Sequence, residues 1–374
     1  MDPGGHAGLR EFRRPDRRPP RNAWRPSWSA PEAICGKTEV SGAVRAARIL
    51  VFLGVLILLV LIPVVGRGTY FQHLGFLTFL FIILSVGWNL VGGYAGQVSF
   101  GHVVFFGIGA YTTAILWLRG IPQLLTIPLA GIVAALYGLL WGWPCLRLRG
   151  PYFSIATIGV GEATRLLALN LENLTGGAGG LTLPTPEDIH FYLAGFYYLA
   201  FLLMVGSLLI SAWVRNSRFG LGLFAIRMDE DAAEALGVHA FRYKILALLL
   251  SGFLVGLAGS LYAQYILYID PGTVFGFSMS VNMILMPIIG GIGTLWGPVL
   301  GAVIFTVIQD RIMTLSLNLW GFSFKLVQFH LLVYGALLVL IILFEPRGLV
   351  GLAERVHRRI SRWRQARAVI ETAG

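Results

Sequence analysis

Charge is what this chain has least of. Asp, Glu, Lys and Arg together make up 13% of its 374 residues, where a soluble domain carries about 25%. With hydrophobic residues at 56%, an ordinary cytosolic enzyme and a disordered protein are both excluded. Cysteine is nearly absent. Cys35 and Cys145 are the only two, and no disulfide scaffold or thiolate metal site can be built from such a pair. Catalytic signatures are missing as well: the chain has no complete P-loop, no His-Glu-x-x-His and no Gly-x-Ser-x-Gly. Gly36-Lys37-Thr38 fails as a P-loop because Pro31 stands where the first glycine belongs. The chain therefore has no recognisable route to ATP hydrolysis, and neither a metal nor a cofactor is expected on it.

What fills the sequence instead is a succession of long apolar runs. At roughly 20 residues per membrane span, there is room for about ten. Spans are expected near 49–65, 71–91, 98–117, 124–143, 152–169, 191–212, 245–266, 277–292, 295–309 and 327–344. The pair on either side of Gly293 is separated by so short a gap that a re-entrant pair or one broken helix also fits. The fold class is thus an all-α polytopic membrane protein. Ten spans allow two halves of five, inverted relative to each other, a plan common among transporters.

The net charge of +11 lies mostly in the tails. Residues 1–48 hold ten Lys/Arg against five Asp/Glu, and residues 345–374 hold seven against three. Basic tails beside a membrane domain report topology and contact with anionic lipid rather than nucleic acid. With the N-terminus inside, the cytoplasmic loops carry Arg147, Arg149, Arg215, Arg218, Arg227, Arg242 and Lys244. The opposite loops carry Glu172, Glu187, Asp188, Asp270 and Asp310 with few cations. Both termini are then cytoplasmic. Residues 1–48 read as a basic disordered tail and not as a signal peptide, because the first apolar run begins only near Ile49. The membrane domain covers 49–344. In the tail 345–374, Leu352, Val356, Ile360 and Trp363 alternate with Arg355, Arg358, Arg359 and Arg362, as in an amphipathic helix on the inner leaflet.

The longest cytoplasmic loop, 216–244, carries the clearest local signal. Asp229-Glu230-Asp231-Ala232-Ala233-Glu234-Ala235-Leu236-Gly237 reads as a short helix. Acids crowd its N-terminus, where the helix dipole favours them, and Gly237 sits where a left-handed cap is wanted. Isolated helices need about 12–15 residues to persist in water, so this one is expected to dock on something. Its alanines would let a backbone approach closely, and a cleft on a partner is the expected source of its stability.

Together with the preceding Ala225-Ile226-Arg227, this loop resembles the coupling loop of ABC importer permeases, most of all the branched-chain amino acid permeases of the LivM type. Gly92-Gly93-Tyr94-Ala95-Gly96-Gln97-Val98-Ser99-Phe100-Gly101-His102 is similar to an early signature of that family. So are Arg149-Gly150-Pro151-Tyr152-Phe153 with Gly161-Glu162 and Arg165, and Leu174-Thr175-Gly176-Gly177. Gly256-Leu257-Ala258-Gly259, Gly290-Gly291-Ile292-Gly293-Thr294-Leu295-Trp296-Gly297-Pro298 and Phe344-Glu345-Pro346-Arg347-Gly348-Leu349 complete the set. The likeness runs over about residues 50–350. It implies a permease subunit of a bacterial inner-membrane importer that translocates leucine, isoleucine and valine. It implies as partners a second homologous permease, two cytoplasmic ATPase subunits that hydrolyse the ATP, and a periplasmic substrate-binding protein. Urea or short amides are the alternative cargo within the family. An ion-coupled secondary transporter is the rival outside it, and lacks the several buried carboxylates it would need.

Site residues follow from both readings. The resemblance assigns ATPase coupling to Arg227, Asp229, Glu230, Asp231, Ala232, Ala233, Glu234, Ala235 and Gly237. The polar stretch with Gly96, Gln97, Ser99, Gly101 and His102 lies at membrane depth, where such backbone faces protein or a wet cavity, so it is placed along the translocation path. Glu162 is the one carboxylate well inside an expected span and is costly there. Arg165, three residues on, shares its helix face. The pair is either a structural ion pair or part of the path. Gly252 and Gly256, and Gly293, Gly297 and Gly301, have the four-residue spacing of close helix packing.

Overall fold

The computed structural model describes residues 69–314 continuously, then 316–319, 322–325 and scattered helical positions between 332 and 355, the longest stretch being 348–352. All of them belong to the larger of two compact units, Val60–Gly374. The expected first span, the N-terminal tail and nearly all of the last span and C-terminal helix lie outside the described residues.

Helix α1 (Thr69–Trp88) runs on as a π-helical turn, Asn89–Tyr94, and is followed by α2 (His102–Leu118), α3 (Gln123–Cys145) and α4 (Pro151–Asn170). A one-turn helix α5 (Glu172–Thr175) and the long α6 (Ile189–Asn216) lead to α7 (Arg218–Met228), the six-residue α8 (Glu230–Ala235) and α9 (Ala240–Ile266). The short α10 (Pro271–Val274), α11 (Phe277–Gly290) and α12 (Gly297–Thr314) follow. Among the described residues five segments are long and apolar enough to cross a membrane: Tyr70–Tyr94, Gln123–Cys145, Ile189–Asn216, Ala240–Ile266 and Pro271–Gly290. The expected span 98–117 begins later than its hydropathy suggests, because residues 95–101 leave the helix and α2 starts only at His102. The apolar run across Gly293 is two helices, α11 and α12, joined by a turn in which Gly291 and Gly293 have φ of 129° and 77°.

In hydrocarbon the hydrophobic effect does not drive helices together, so packing and hydrogen bonds do. The bundle is built accordingly around α9, which packs on α3, α2 and α1. Gly256 of α9 faces Ala130, Gly131 and Ala134 of α3. A Cβ on Gly109 of α2 would collide with the Gly256 backbone, and one on Gly259 with the carbonyl of Phe106. Gly301 of α12 lies in the same way against the Met286 carbonyl of α11. Of the glycines at four-residue spacing, Gly252, Gly256 and Gly301 serve close packing, while Gly293 and Gly297 lie at the turn between α11 and α12. Hydrogen bonds reinforce the same seam, with Thr113 donating to Ser260 Oγ at 2.6 Å and Gln264 Nε2 to Thr126 Oγ1 at 3.3 Å.

Helix α3 shows how one sequence serves two environments. Thr126, Ala130, Ala134, Gly138, Trp141 and Cys145 are buried, while Leu125, Leu129, Ile132, Leu136, Leu140 and Trp143 form an exposed stripe at helical spacing. Mostly small residues meet protein, and the large apolar ones form a surface suited to lipid.

At the end of the bundle expected outside, the glycine-rich loop is tied down. Leu181 and Thr182 (β1) pair antiparallel with Ile269 and Tyr268 (β2). A hairpin, Ser316–Leu319 (β3) with Phe322–Lys325 (β4), was not anticipated from composition.

Replacing Gly109 or Gly259 by Val should lower the stability of the purified protein by about 1–3 kcal/mol or prevent folding, since backbone rather than a movable side chain blocks the new methyls. Leu140→Ala, on the 73%-exposed stripe, should change it by less than about 0.5 kcal/mol. Thermal aggregation in detergent measures both.

Candidate functional site

Asp229 leaves the helical conformation and accepts the Ala232 amide at 2.9 Å, capping α8. Gly237, at φ 87°, closes the other end, a conformation costly for residues with a Cβ. These caps make a six-residue helix possible but do not hold it. Its anchor is the protein itself: Ala233, 2% exposed, packs in a cluster with Ile226 of α7 and Ala240 of α9, covered by Ala225, Val238 and Tyr243. The expectation that a partner's cleft receives Ala233 is therefore corrected, because its methyl is already used internally.

Charge completes the anchoring. Glu230 takes the ammonium of Lys244 at 2.5 Å, and that lysine is 1% exposed. Arg149, at the entry to α4, bonds Asp231 at 2.8 Å and approaches Glu230 at 3.8 Å. These acids hold the Arg149 guanidinium further above its ordinary pKa, the Asp231 hydrogen bond first. Removing one member of a buried pair costs more than the pair gains, so Lys244 fixes where Glu230 must lie. What remains outward is a different set. Met228 and Leu236 are 86% and 85% exposed, with Ala232, Glu234 and Ala235 also exposed. A crevice of about 340 Å³ opens beside them between Leu146, Arg147, Arg149, Glu230, Glu234 and Phe241.

Arg227 connects this loop to the membrane helices. Its guanidinium donates to the carbonyl of Gly93 in the π-helical turn. Gly96, at φ 73°, and Gly293, at φ 77°, both lie against its side chain, where a Cβ would collide. Asn89 closes the same junction, donating to Thr294 O at 3.0 Å and accepting the Gly293 amide at 2.8 Å. Three motifs far apart in sequence, 89–101, 225–227 and 290–298, thus meet at one point.

The remaining polar residues of 96–102 are largely committed to packing. Trp88 donates to Ser99 O at 2.8 Å, Ser99 Oγ accepts the Gly101 amide, and Phe100 bonds Thr157 of α4 and Ser280 of α11. His102 is fully buried, with Nε2 2.9 Å from Ser251 Oγ. Ser251 gives its own proton to Gly87 O at 2.6 Å, so the imidazole must donate from Nε2. Its Nδ1 has no partner. Gln97 is buried with its amide on Val91 O. Glu162 stands apart from this group. Thr157, Gly161 and Thr164 form the buried stripe of α4, and Glu162 lies on the exposed side. Asn89 and Ser251 carry no signal in a hydrophobic run, and single polar residues within apolar helices are the sole clue to them. Among the described residues no cluster of His, Cys, Asp and Glu fits a metal ion.

Comparison with known proteins agrees in extent with this architecture. The model of a family described as "Branched-chain amino acid transport system / permease component" matches residues 71–342. The high-affinity branched-chain amino acid transport system permease protein LivM of Escherichia coli K12 is 31% identical over 317 residues, covering 76% of this chain and 71% of that protein. LivH of the same organism is 26% identical, covering 73% and 92%. The autoinducer 2 import system permease protein LsrC of Yersinia pseudotuberculosis is 28% identical, covering 65% and 66%. No solved structure matches the chain.

Lys244→Met leaves Glu230 without its buried partner and should destabilise the loop by about 3 kcal/mol. Ala233→Leu, forced into a closed cluster, should cost about 1–3 kcal/mol. Limited proteolysis should cut both variants within residues 228–240 much faster than the wild type, with the transmembrane fragments intact.

Proposed function

Because this chain belongs to the family of branched-chain amino acid transport permease components, we propose that it is the permease subunit of an ABC importer moving leucine, isoleucine and valine across the inner membrane. It is a multi-pass membrane protein whose relatives are transport permeases rather than enzymes. The assembly we propose joins it to a second, homologous permease, two cytoplasmic ATPases and a periplasmic binding protein, with both termini in the cytoplasm and ATP hydrolysed by the partners.

The observation that carries this reading is the loop 216–244. A capped helix is clamped to its own protein by Lys244, Arg149 and Ala233, while Met228, at the end of α7, and Leu236, at the C-terminal cap of α8, stand open to water on either side of it in sequence. Two large uncovered apolar side chains on a rigid charged platform suit a protein cleft. Force applied there reaches the bundle through Arg227, which bridges α7 to the breaks after α1 and α11. Discontinuous helices are the parts of a membrane domain that can rearrange at least expense, since their hydrogen bonds are made by side chains instead of a continuous ladder. Binding of ATP to the partners then shifts the permease between inward- and outward-facing populations.

Reconstitution of the five-protein assembly tests the proposal. Leucine uptake should require ATP and the binding protein; uptake of urea instead of leucine would reassign the cargo. Met228→Asp with Leu236→Asp should abolish co-purification with the ATPases while leaving the permease folded. Arg227→Gln should keep co-purification but lower uptake per ATP about tenfold, as loss of a charged hydrogen bond predicts.

A further inference from the structure

Helix α4 has the length of a span, about 30 Å for twenty residues, yet it is absent from the five segments apolar enough for lipid. The reason is partly its centre. Glu162 lies about 16 Å from the Pro151 end, and Arg165 grips it with both edges of the fork, Nε to Oε2 at 3.0 Å and Nη2 to Oε1 at 2.5 Å. The two side chains remain 53% and 29% exposed. A charged pair at that depth does not face hydrocarbon. Water or protein must meet it.

The surroundings favour a ligand of moderate size. Gly159, one turn before Glu162 on the same exposed side, has nothing within 4 Å of where a Cβ would stand. Ile155, Ile158 and Leu166 beside it are 66%, 39% and 46% exposed. One open face of α4 thus combines one carboxylate, one guanidinium and aliphatic surface.

Resting on the importer reading above, we propose that Glu162 and Arg165 bind the zwitterionic head of an amino acid in transit. The carboxylate of Glu162 takes the ammonium group, Arg165 takes the carboxylate with its planar donors, and the aliphatic residues meet the side chain. The two residues satisfy each other while the site is empty, so the path never holds an isolated charge. A neutral amide or urea has no complement to either charge. The site therefore also selects.

The full importer in proteoliposomes provides the test, with wild-type leucine uptake as its reference. Absence of that uptake would defeat the importer reading and not this one. Given wild-type uptake, Glu162→Gln and Arg165→Gln should each lower it about tenfold or more while ATP hydrolysis stimulated by loaded binding protein stays within about twofold. Gly159→Leu meets no steric obstacle within the chain and should assemble normally yet block uptake. Should the single charge variants fail to assemble, Glu162→Arg combined with Arg165→Glu restores an internal ion pair and should assemble while still transporting poorly. Glu162→Cys, with Cys35→Ser and Cys145→Ala, should react with a charged thiol reagent from water and be protected by leucine. Full uptake by the single variants or the reversed pair would overturn the proposal. So would an unreactive thiol in an assembled complex, which would mean that the face is covered by protein or lipid.

Discussion

Hydrogen bonds left open where helices break govern this membrane fold. Within a bilayer each such group must find a protein partner, because water cannot supply one. The chain meets that demand at the break after Trp88 with Asn89, which serves Gly293 and Thr294 of another break, and with Arg227, which serves Gly93 from the loop. Glycine is required at 96 and 293 because the guanidinium stem occupies the space and the backbone is left-handed there. Two weaknesses in separate helices are thereby made into a single joint, and the residue closing it comes from α7, the helix that leads directly into α8.

The same economy explains helix α8, to which we assign the coupling role. Six residues do not hold a helix in water, and the caps contribute only about 1 kcal/mol each. The Glu230–Lys244 pair and the Ala233 contact make the helix a part of the membrane domain before any partner arrives. A preorganised platform loses less conformational entropy on binding than a loop that folds on contact.

Much of this was legible in the amino-acid order. Apolar runs gave the long helices because lipid imposes length and composition together. Acids before Ala232 and glycine at 237 gave α8, since caps act locally. Glycine spacing foretold the seam of α9 with α2 and α3. What was not legible depends on contacts across the bundle. Nothing in 71–91 separates Asn89 from its neighbours as a bridging residue. Ala233 was grouped with the alanines that would let a partner's cleft approach, because an alanine carries no mark of which side of a short helix is covered; it packs within the chain. The helix around 98–101 was overextended, since hydropathy does not register where hydrogen bonding turns from backbone to side chain. Of the polar stretch 96–102, the residue types pointed to a special role, but Ser99 and His102 spend their main hydrogen bonds on neighbouring helices.

Met228 and Leu236 also bear on the life of the chain before assembly. On a subunit that has found no partner they stand in water at 86% and 85% exposure, held outward by a loop too well anchored to fold them away. Adventitious binders and the cell's quality-control machinery recognise uncovered apolar groups of this kind. An orphan subunit is thus chemically marked, and in the assembly proposed above the docking of a partner on these two side chains would also remove the mark.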